Sequence, residues 1–94
     1  MASCNNRTVI VTGAGAGLGR AYAIELAAAG ANVVVNDIRA EAASAVVEEI
    51  LAKGGKAIAS SDDITSIASA QKIVDAALAA FGDVHAVVNN AGIL

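Results

Sequence analysis

The chain has 94 residues, of which 56% are hydrophobic and 16% charged, with a net charge of −3 and a single cysteine. This length allows one domain at most, and so apolar a composition excludes intrinsic disorder. One cysteine excludes a disulfide framework, and the absence of a Cys/His cluster argues against a metal site. The few, scattered basic residues argue against a nucleic-acid partner.

The apolar residues form short runs, such as Leu26–Ala29 and Val33–Val35, that polar residues and glycines interrupt. A membrane-spanning helix needs about 20 nearly continuous apolar residues. The first seven residues lack the apolar core of a signal peptide. We therefore expect a soluble, cytoplasmic protein with no membrane partner.

The hydropathy pattern predicts alternating strands and helices. Runs rich in β-branched or small apolar residues predict four strands, at Thr8–Thr12, Asn32–Asn36, Lys56–Ser60 and Val84–Asn89. Apolar residues at helical spacing, each set followed by glycine, predict three helices, at Leu18–Ala29, Arg39–Lys53 and Ser66–Phe81. Such a βαβαβαβ order predicts an α/β fold with a parallel sheet and right-handed crossovers. We expect strand order 3-2-1-4, helices on both faces, and a ligand site at the switch point between strands one and four.

A glycine-rich turn, residues 13–19, follows the first predicted strand. Glycine lets the backbone approach a ligand closely, and a helix N-terminus attracts a pyrophosphate. The spacing does not fit G-x-G-x-x-G, because Leu18 stands at the third position. It fits T-G-x-x-x-G-x-G through Thr12, Gly13, Gly17 and Gly19. The alternative interpretation is a flexible turn between strand and helix.

Asp37 stands at the end of the second predicted strand, about 20 residues past the glycines, where a carboxylate can accept both ribose hydroxyls of an adenosine. Its charge would repel a 2′-phosphate, which favours NAD over NADP. Arg39 could instead form an ion pair with a 2′-phosphate, which would favour NADP. The alternative role for Asp37 is to cap the helix that starts near Arg39.

Two further polar segments follow the third and fourth strands, and we expect them near the glycine turn. They are Asp62-Asp63-Ile64 and Asn89-Asn90-Ala91-Gly92. Alone, the first would be interpreted as the capping region of the third helix and the second as a polar turn. Together with the glycine turn they are candidates for the adenine side of a nucleotide site.

The glycine motif, Asp37, Asp63-Ile64 and Asn89-Asn90-Ala91-Gly92 resemble the N-terminal part of a short-chain dehydrogenase/reductase with a Rossmann-type sheet, over Arg7 to Leu94. The resemblance implies that Asp37 holds the ribose, that Asp63 and Ile64 flank the adenine, and that Asn90 lies against the cofactor. It also implies that residues 89–92 stabilise the central sheet. The predicted cofactor-binding residues are Gly13, Ala16, Gly17, Leu18, Gly19, Asp37, Asp63, Ile64, Asn90, Ala91 and Gly92.

Members of this family transfer hydride with a Ser, Tyr and Lys set that includes Tyr-x-x-x-Lys, in which the ammonium lowers the pKa of the phenol. The single tyrosine, Tyr22, is followed four residues later by Leu26, and His85 is more typical of a strand residue than of a base. We therefore assign no catalytic residue.

We expect residues 1–94 to be the cofactor-binding part of a longer dehydrogenase that interconverts a secondary alcohol and a ketone, homo-oligomeric in its parent form. A limited likeness to multifunctional β-oxidation enzymes suggests 3-hydroxyacyl-CoA substrates. The alternatives are a non-catalytic dinucleotide-binding module that is complete at this length, and a purely structural α/β domain.

Overall fold

A computed structural model describes residues 6–62 and 67–89. The predicted site residues Asp63, Ile64, Asn90, Ala91 and Gly92 lie outside these described residues, as does Ser66, the predicted start of the third helix. The described elements, in chain order, are β1 (Thr8–Thr12), α1 (Gly17–Ala28), β2 (Asn32–Asn36), α2 (Ala40–Ala52), β3 (Lys56–Ser60), α3 (Ile67–Phe81) and β4 (Ala86–Asn89).

The four strands form one parallel sheet in the order β3-β2-β1-β4, which confirms the predicted topology. At its carboxyl edge Thr12 pairs with Asn89, and Asn36 pairs with Ser60. The chain reverses its direction of travel across the sheet between β1 and β4. The carboxyl ends of β1 and β4 therefore lie beside each other, as the topology of a nucleotide-binding switch point requires.

The two central strands are buried on both faces, and successive side chains point to opposite sides of the sheet. On one face Val9, Val11, Val33 and Val35 pack with α1 and α2, which contribute Ala23, Ala27, Ala43, Val46 and Ile50. On the other face Ile10 and Val34 pack with Ile73 and Ala77 of α3. Helices thus cover both faces, as predicted, and alanine is the main helical residue because it lets the helices pack closely on the sheet.

Within the described residues, five element boundaries differ from the prediction by one or two residues: both ends of α1 (Gly17–Ala28), both ends of α2 (Ala40–Ala52) and the start of β4. Arg39 has an extended backbone and is the N-cap of α2, so that helix begins at Ala40. β4 begins at Ala86 rather than Val84. The imidazole Nδ1 of His85 accepts the backbone N–H of Thr8 at 2.9 Å, so a side chain takes the place of a strand carbonyl there. Among the helices of residues 6–62 and 67–89, none is long and apolar enough to cross a membrane.

Candidate functional site

The ends of β1 and β4 are joined by a side-chain hydroxyl at the carboxyl edge of the sheet. Oγ1 of Thr12 lies 3.3 Å from the carbonyl oxygen of Val88 and 3.2 Å from Oδ1 of Asn89, so its hydrogen can be donated to either oxygen. Thr12 is buried, and the glycine turn starts at the next residue. The first residue of the motif therefore connects the glycine turn to the strand end from which residues 90–92 continue.

The glycine turn uses left-handed backbone conformations at Gly13, with φ of 61°, and at Gly17, with φ of 58°. Residues with a Cβ rarely adopt this region, so both positions require glycine for the path of the chain. The Ala14 N–H donates to the carbonyl oxygen of Asn36 at 2.8 Å, which holds the turn against the end of β2. The turn thus follows a defined backbone path and is hydrogen-bonded to the end of β2.

Helix α1 begins in this turn with its N-terminus open to an anion. Ala16, its N-cap, has an extended backbone and offers no side-chain hydrogen bond, and the first turn contains no acidic residue. The N-terminal N–H groups of a helix carry partial positive charge and attract phosphate when no side chain caps them. Gly19 is buried in this first turn, whereas Leu18 is exposed. This end of α1 can therefore receive a pyrophosphate through its backbone.

Asp37 lies beside the turn and is only 6% exposed. Its Oδ2 accepts the Gly15 N–H at 2.9 Å, and its Oδ1 accepts the Arg39 N–H at 2.9 Å. The Arg39 guanidinium forms an ion pair with the same carboxylate, with Nε at 3.2 Å from Oδ1 and Nη2 at 3.3 Å from Oδ2. Asp37 thus contacts Arg39, the N-cap of α2, and the glycine turn, whereas no side-chain hydrogen bond caps α2, so the alternative role as a helix cap is not what the structure shows.

These contacts favour the ionised form of Asp37. Burial alone would raise the pKa of the carboxyl group, but the hydrogen bonds from Arg39 and Gly15 and the positive charge of Arg39 outweigh it and lower the pKa below its ordinary 3.8. The same pairing raises the pKa of the Arg39 guanidinium. A carboxylate that is ionised at neutral pH therefore lies beside the glycine turn, where it can accept hydrogen bonds from ribose hydroxyls.

Gly15 belongs to this site, although it occupies a variable position of the motif and was not among the predicted site residues. A Cβ at position 15 would lie 2.7 Å from Oδ2 and 2.9 Å from Cγ of Asp37, and 2.7 Å from Cβ of Ala42. Such distances require a displacement of the neighbouring atoms. The sequence indicated this role only through Gly15 itself, a fourth glycine in a turn whose motif requires three.

A polar cluster that was not predicted from the sequence lies at the ends of β2 and β3. Nδ2 of Asn36 donates to the carbonyl oxygen of Asp62 at 3.0 Å and to Oγ of Ser60 at 3.1 Å. Asn36 and Ser60 are both buried. These bonds hold the segment that leads from β3 to Asp63, on the side of the sheet edge where the adenine was predicted. The only indication in the sequence was Asn36, a polar residue at the end of the otherwise apolar strand β2.

The remaining candidate groups lie elsewhere. His85 pairs with Thr8, at the amino edge of the sheet, opposite to the glycine turn. Its Nε2 lies 3.4 Å from Oδ2 of Asp83, which also accepts the Thr8 hydroxyl at 2.9 Å through Oδ1. His85 therefore holds β1 against the segment before β4. Within residues 6–62 and 67–89, no group of three or more His, Cys, Asp or Glu side chains could hold a metal ion.

The model of the short chain dehydrogenase family matches residues 7–94 of this sequence. The chain belongs to that family. The match begins just before β1 and extends through the glycine turn, Asp37 and the residues that follow β4. The Rossmann-type sheet, the order β3-β2-β1-β4 and the resemblance of the motifs to this family are thereby confirmed together.

Relatives within the family include curated proteins and solved structures. The chain is 50% identical to mouse peroxisomal multifunctional enzyme type 2 over an alignment 99 positions long, which covers 96% of this chain and 13% of the mouse protein. A short chain dehydrogenase from Mycobacterium avium superposes on the whole chain with a TM-score of 0.94 and 43% identity, and the chain covers 36% of it.

A third relative was solved with bound ligands. It is a 7α-hydroxysteroid dehydrogenase in complex with NADH and 7-oxo glycochenodeoxycholic acid, with a TM-score of 0.89 and 46% identity over 92% of this chain and 34% of that structure. The chain therefore spans about a third of the length of the two solved dehydrogenases. The solved relatives are dehydrogenases, that is, oxidoreductases. The 7α-hydroxysteroid dehydrogenase was solved with NADH bound.

Proposed function

We propose that this chain forms the adenosine and pyrophosphate side of an NAD site in a short-chain dehydrogenase that interconverts a secondary alcohol and a ketone. The observation that carries the proposal is the position of the Asp37 carboxylate, buried and ionised beside the glycine turn and bonded to the Gly15 N–H at 2.9 Å. The NADH complex of a relative that is 46% identical supports a dinucleotide as the ligand, and its 7-oxo ligand supports a ketone as the substrate class.

The residues fit this cofactor by their chemistry. The left-handed turn at Gly13 and Gly17 brings backbone, rather than side chains, to the uncapped start of α1, where a pyrophosphate can accept N–H hydrogen bonds. Asp37 offers an ionised acceptor to ribose hydroxyls and repels a 2′-phosphate, which favours NAD. We extend the proposal to Asp63, Ile64, Asn90, Ala91 and Gly92 as contacts on the adenine side and along the cofactor.

A bound cofactor would supply the hydride acceptor for oxidation of the alcohol or the hydride donor for reduction of the ketone. The chain's own residues bind and orient the other end of the dinucleotide. In this role they lower the free energy of the complex and position the cofactor, and they move no proton themselves. We assign no catalytic group to this chain, because Tyr22 stands on α1 without a lysine four residues later.

Calorimetric titration with NAD and NADP tests the proposal. The Asp37→Ala variant should bind NAD more weakly by about tenfold or more, because hydrogen bonds to a charged group contribute about 1.5–3 kcal/mol. The ratio of its NAD affinity to its NADP affinity should also decrease. Glu41→Ala removes an acidic residue from the first turn of α2 and is the control, which should leave both affinities unchanged.

Two results would contradict this assignment. If the protein binds neither dinucleotide, the chain serves as a structural domain. If Asp37→Ala leaves the ratio of NAD to NADP affinity unchanged, Asp37 does not hold the ribose. Activity has to be measured on the whole protein, because no catalytic group is assigned to this chain: a whole protein that binds NAD and oxidises no secondary alcohol is a binding module without catalytic activity.

A further inference from the structure

The Asp37 carboxylate has no open acceptor position in this structure. An ionised carboxylate has about four lone-pair sites on its two oxygens. Four N–H donors surround it: the backbone of Gly15, the backbone of Arg39, and Nε and Nη2 of the Arg39 side chain. Each oxygen thus receives one backbone bond and one guanidinium bond. Two ribose hydroxyls can bind to this carboxylate only if two of these donors leave.

The two backbone donors cannot leave without a change in the fold. Gly15 lies in a turn that the Ala14–Asn36 hydrogen bond holds against β2, and the Arg39 N–H lies at the N-cap of α2. The guanidinium differs, because the Arg39 side chain is 62% exposed whereas that of Asp37 is only 7% exposed. Within the described part of the chain, Asp37 provides the only hydrogen-bond acceptors of the guanidinium. It is the donor group that can rotate away into solvent.

We propose that the Arg39 guanidinium occupies the ribose-diol position of Asp37 in the unliganded protein, and that NAD binding displaces it. This inference rests on the proposed NAD site. The fork of two N–H groups, one on each carboxylate oxygen, takes the positions that two adjacent hydroxyls would need. Arg39 therefore competes with the cofactor, keeps the buried carboxylate paired while the site is empty, and sets the affinity for NAD from outside the pocket.

The displacement affects NAD and NADP differently. In the wild type, the ribose hydroxyls of NAD replace both guanidinium bonds to the Asp37 carboxylate. In a variant without Arg39, no guanidinium has to be displaced before the hydroxyls bind. The 2′-phosphate of NADP cannot donate to the carboxylate and is repelled by it. Without Arg39 this repulsion has no neighbouring positive charge to offset it. Loss of Arg39 should therefore strengthen NAD binding and widen the preference for NAD over NADP.

Arg39→Met tests this in the full chain, with NAD and NADP as calorimetric titrants. The NAD dissociation constant should fall by about two- to fivefold, the range that an exposed ion pair contributes. The NADP dissociation constant should not fall. Arg39→Lys keeps the charge but lacks the planar fork, so its NAD affinity should lie between those of the wild type and Arg39→Met. Arg7→Met removes the same charge just before β1, at the opposite edge of the sheet, and should change neither affinity.

An unchanged or higher NAD dissociation constant in Arg39→Met overturns the inference, as does an equal gain in NAD and NADP affinity. These results are distinguishable from failure of the NAD site itself. If NAD binding depends on Asp37 but not on Arg39, only the displacement is wrong. If NAD does not bind to the wild type, both proposals fail.

Discussion

The backbone N–H of Gly15 donates a hydrogen bond to Oδ2 of Asp37 at 2.9 Å, and a Cβ at position 15 would lie 2.7 Å from that same oxygen. Two residues that are 22 positions apart in the chain therefore define one contact. The glycine supplies both the donor and the space that the carboxylate occupies. The position of the Asp37 carboxylate thus depends on the absence of a side chain at residue 15.

We expect Gly15→Ala to displace the carboxylate and to weaken NAD binding by about tenfold, the loss that follows when a hydrogen bond to a charged group is broken. The added methyl group also meets Cβ of Ala42 at 2.7 Å, so the free energy of unfolding should fall by about 1–3 kcal/mol, as for other overpacked sites. Calorimetry with NAD and urea denaturation measure the two effects.

Gly55→Ala is the matched control. A Cβ at residue 55 would lie 2.7 Å from Cγ2 of Ile50, so this variant introduces a similar steric conflict far from Asp37. It should lose a comparable free energy of unfolding and keep the affinity of the wild type for NAD. Equal losses of NAD affinity in the two variants would mean that the effect of Gly15→Ala comes from general destabilisation.

The lowered pKa of Asp37 makes the stability of the protein depend on pH in a defined direction. A carboxyl group whose pKa is lower in the folded state stabilises the fold fully above its unfolded pKa of about 3.9, and this contribution is lost as the pH falls through the folded pKa. The difference in free energy of unfolding between wild type and Asp37→Asn should therefore be constant at pH 5–7 and shrink in more acidic solution. Urea denaturation across this range measures it, and a difference independent of pH down to 2.5 would contradict the assigned hydrogen bonds.

The Thr12 hydroxyl connects the two strand ends at the switch point, and Thr12→Val should break that connection. Valine keeps the shape and removes the donor to Val88 and Asn89, so the free energy of unfolding should fall by about 0.5–1.5 kcal/mol. NAD binding should weaken as well, because the strand end that leads to residues 90–92 loses its side-chain bond to Thr12 and keeps only its strand pairing with β1.

Thr8→Val makes the same change at the other end of β1, where the hydroxyl donates to Asp83 at 2.9 Å. It should lower the free energy of unfolding without an effect on NAD affinity, because it lies at the amino edge. If Thr12→Val and Thr8→Val affect NAD binding equally, the Thr12 hydroxyl has no specific role at the site.

Ile50 lies on the face of α2 that packs against the sheet, and at 1% exposure it is among the largest almost fully buried side chains of the described residues. We expect Ile50→Ala to lower the free energy of unfolding by about 2–5 kcal/mol through lost burial and the remaining cavity. Leu51→Ala, at the next residue and 52% exposed, should change it by about 0.5 kcal/mol or less. Chemical denaturation measures the free energy of unfolding of both variants. If the two variants lose similar amounts, Ile50 is not a core residue on this face of the sheet.

The strand order and the two-sided covering of the sheet were predictable, because the elements follow from local sequence patterns and general rules on chain connections limit how they can be arranged. Buried strands such as Val33–Val35 are continuous apolar runs, and a glycine follows each helix. The handedness of the crossovers then leaves few arrangements of four strands. Boundaries such as the start of β4 were less predictable, because His85 satisfies the Thr8 N–H with its side chain, and this needs the two strands to be adjacent.

The sequence by itself determined the family, the sheet order and the places of Asp37 and the glycine turn at the carboxyl edge, since motif spacing and hydropathy are properties of neighbouring residues. Only the tertiary structure decided that Gly15 makes room for the Asp37 carboxylate, and that Asn36 holds the segment after β3. It also decided that Arg39 occupies both oxygens of Asp37. Gly15 and Asn36 contact residues that are distant in the sequence and that folding brings together. Arg39 is close to Asp37 in the sequence, but its contact with both carboxylate oxygens depends on the backbone geometry between Asp37 and α2. Distances of about 3 Å decide each of these contacts, and residue spacing along the chain does not encode them.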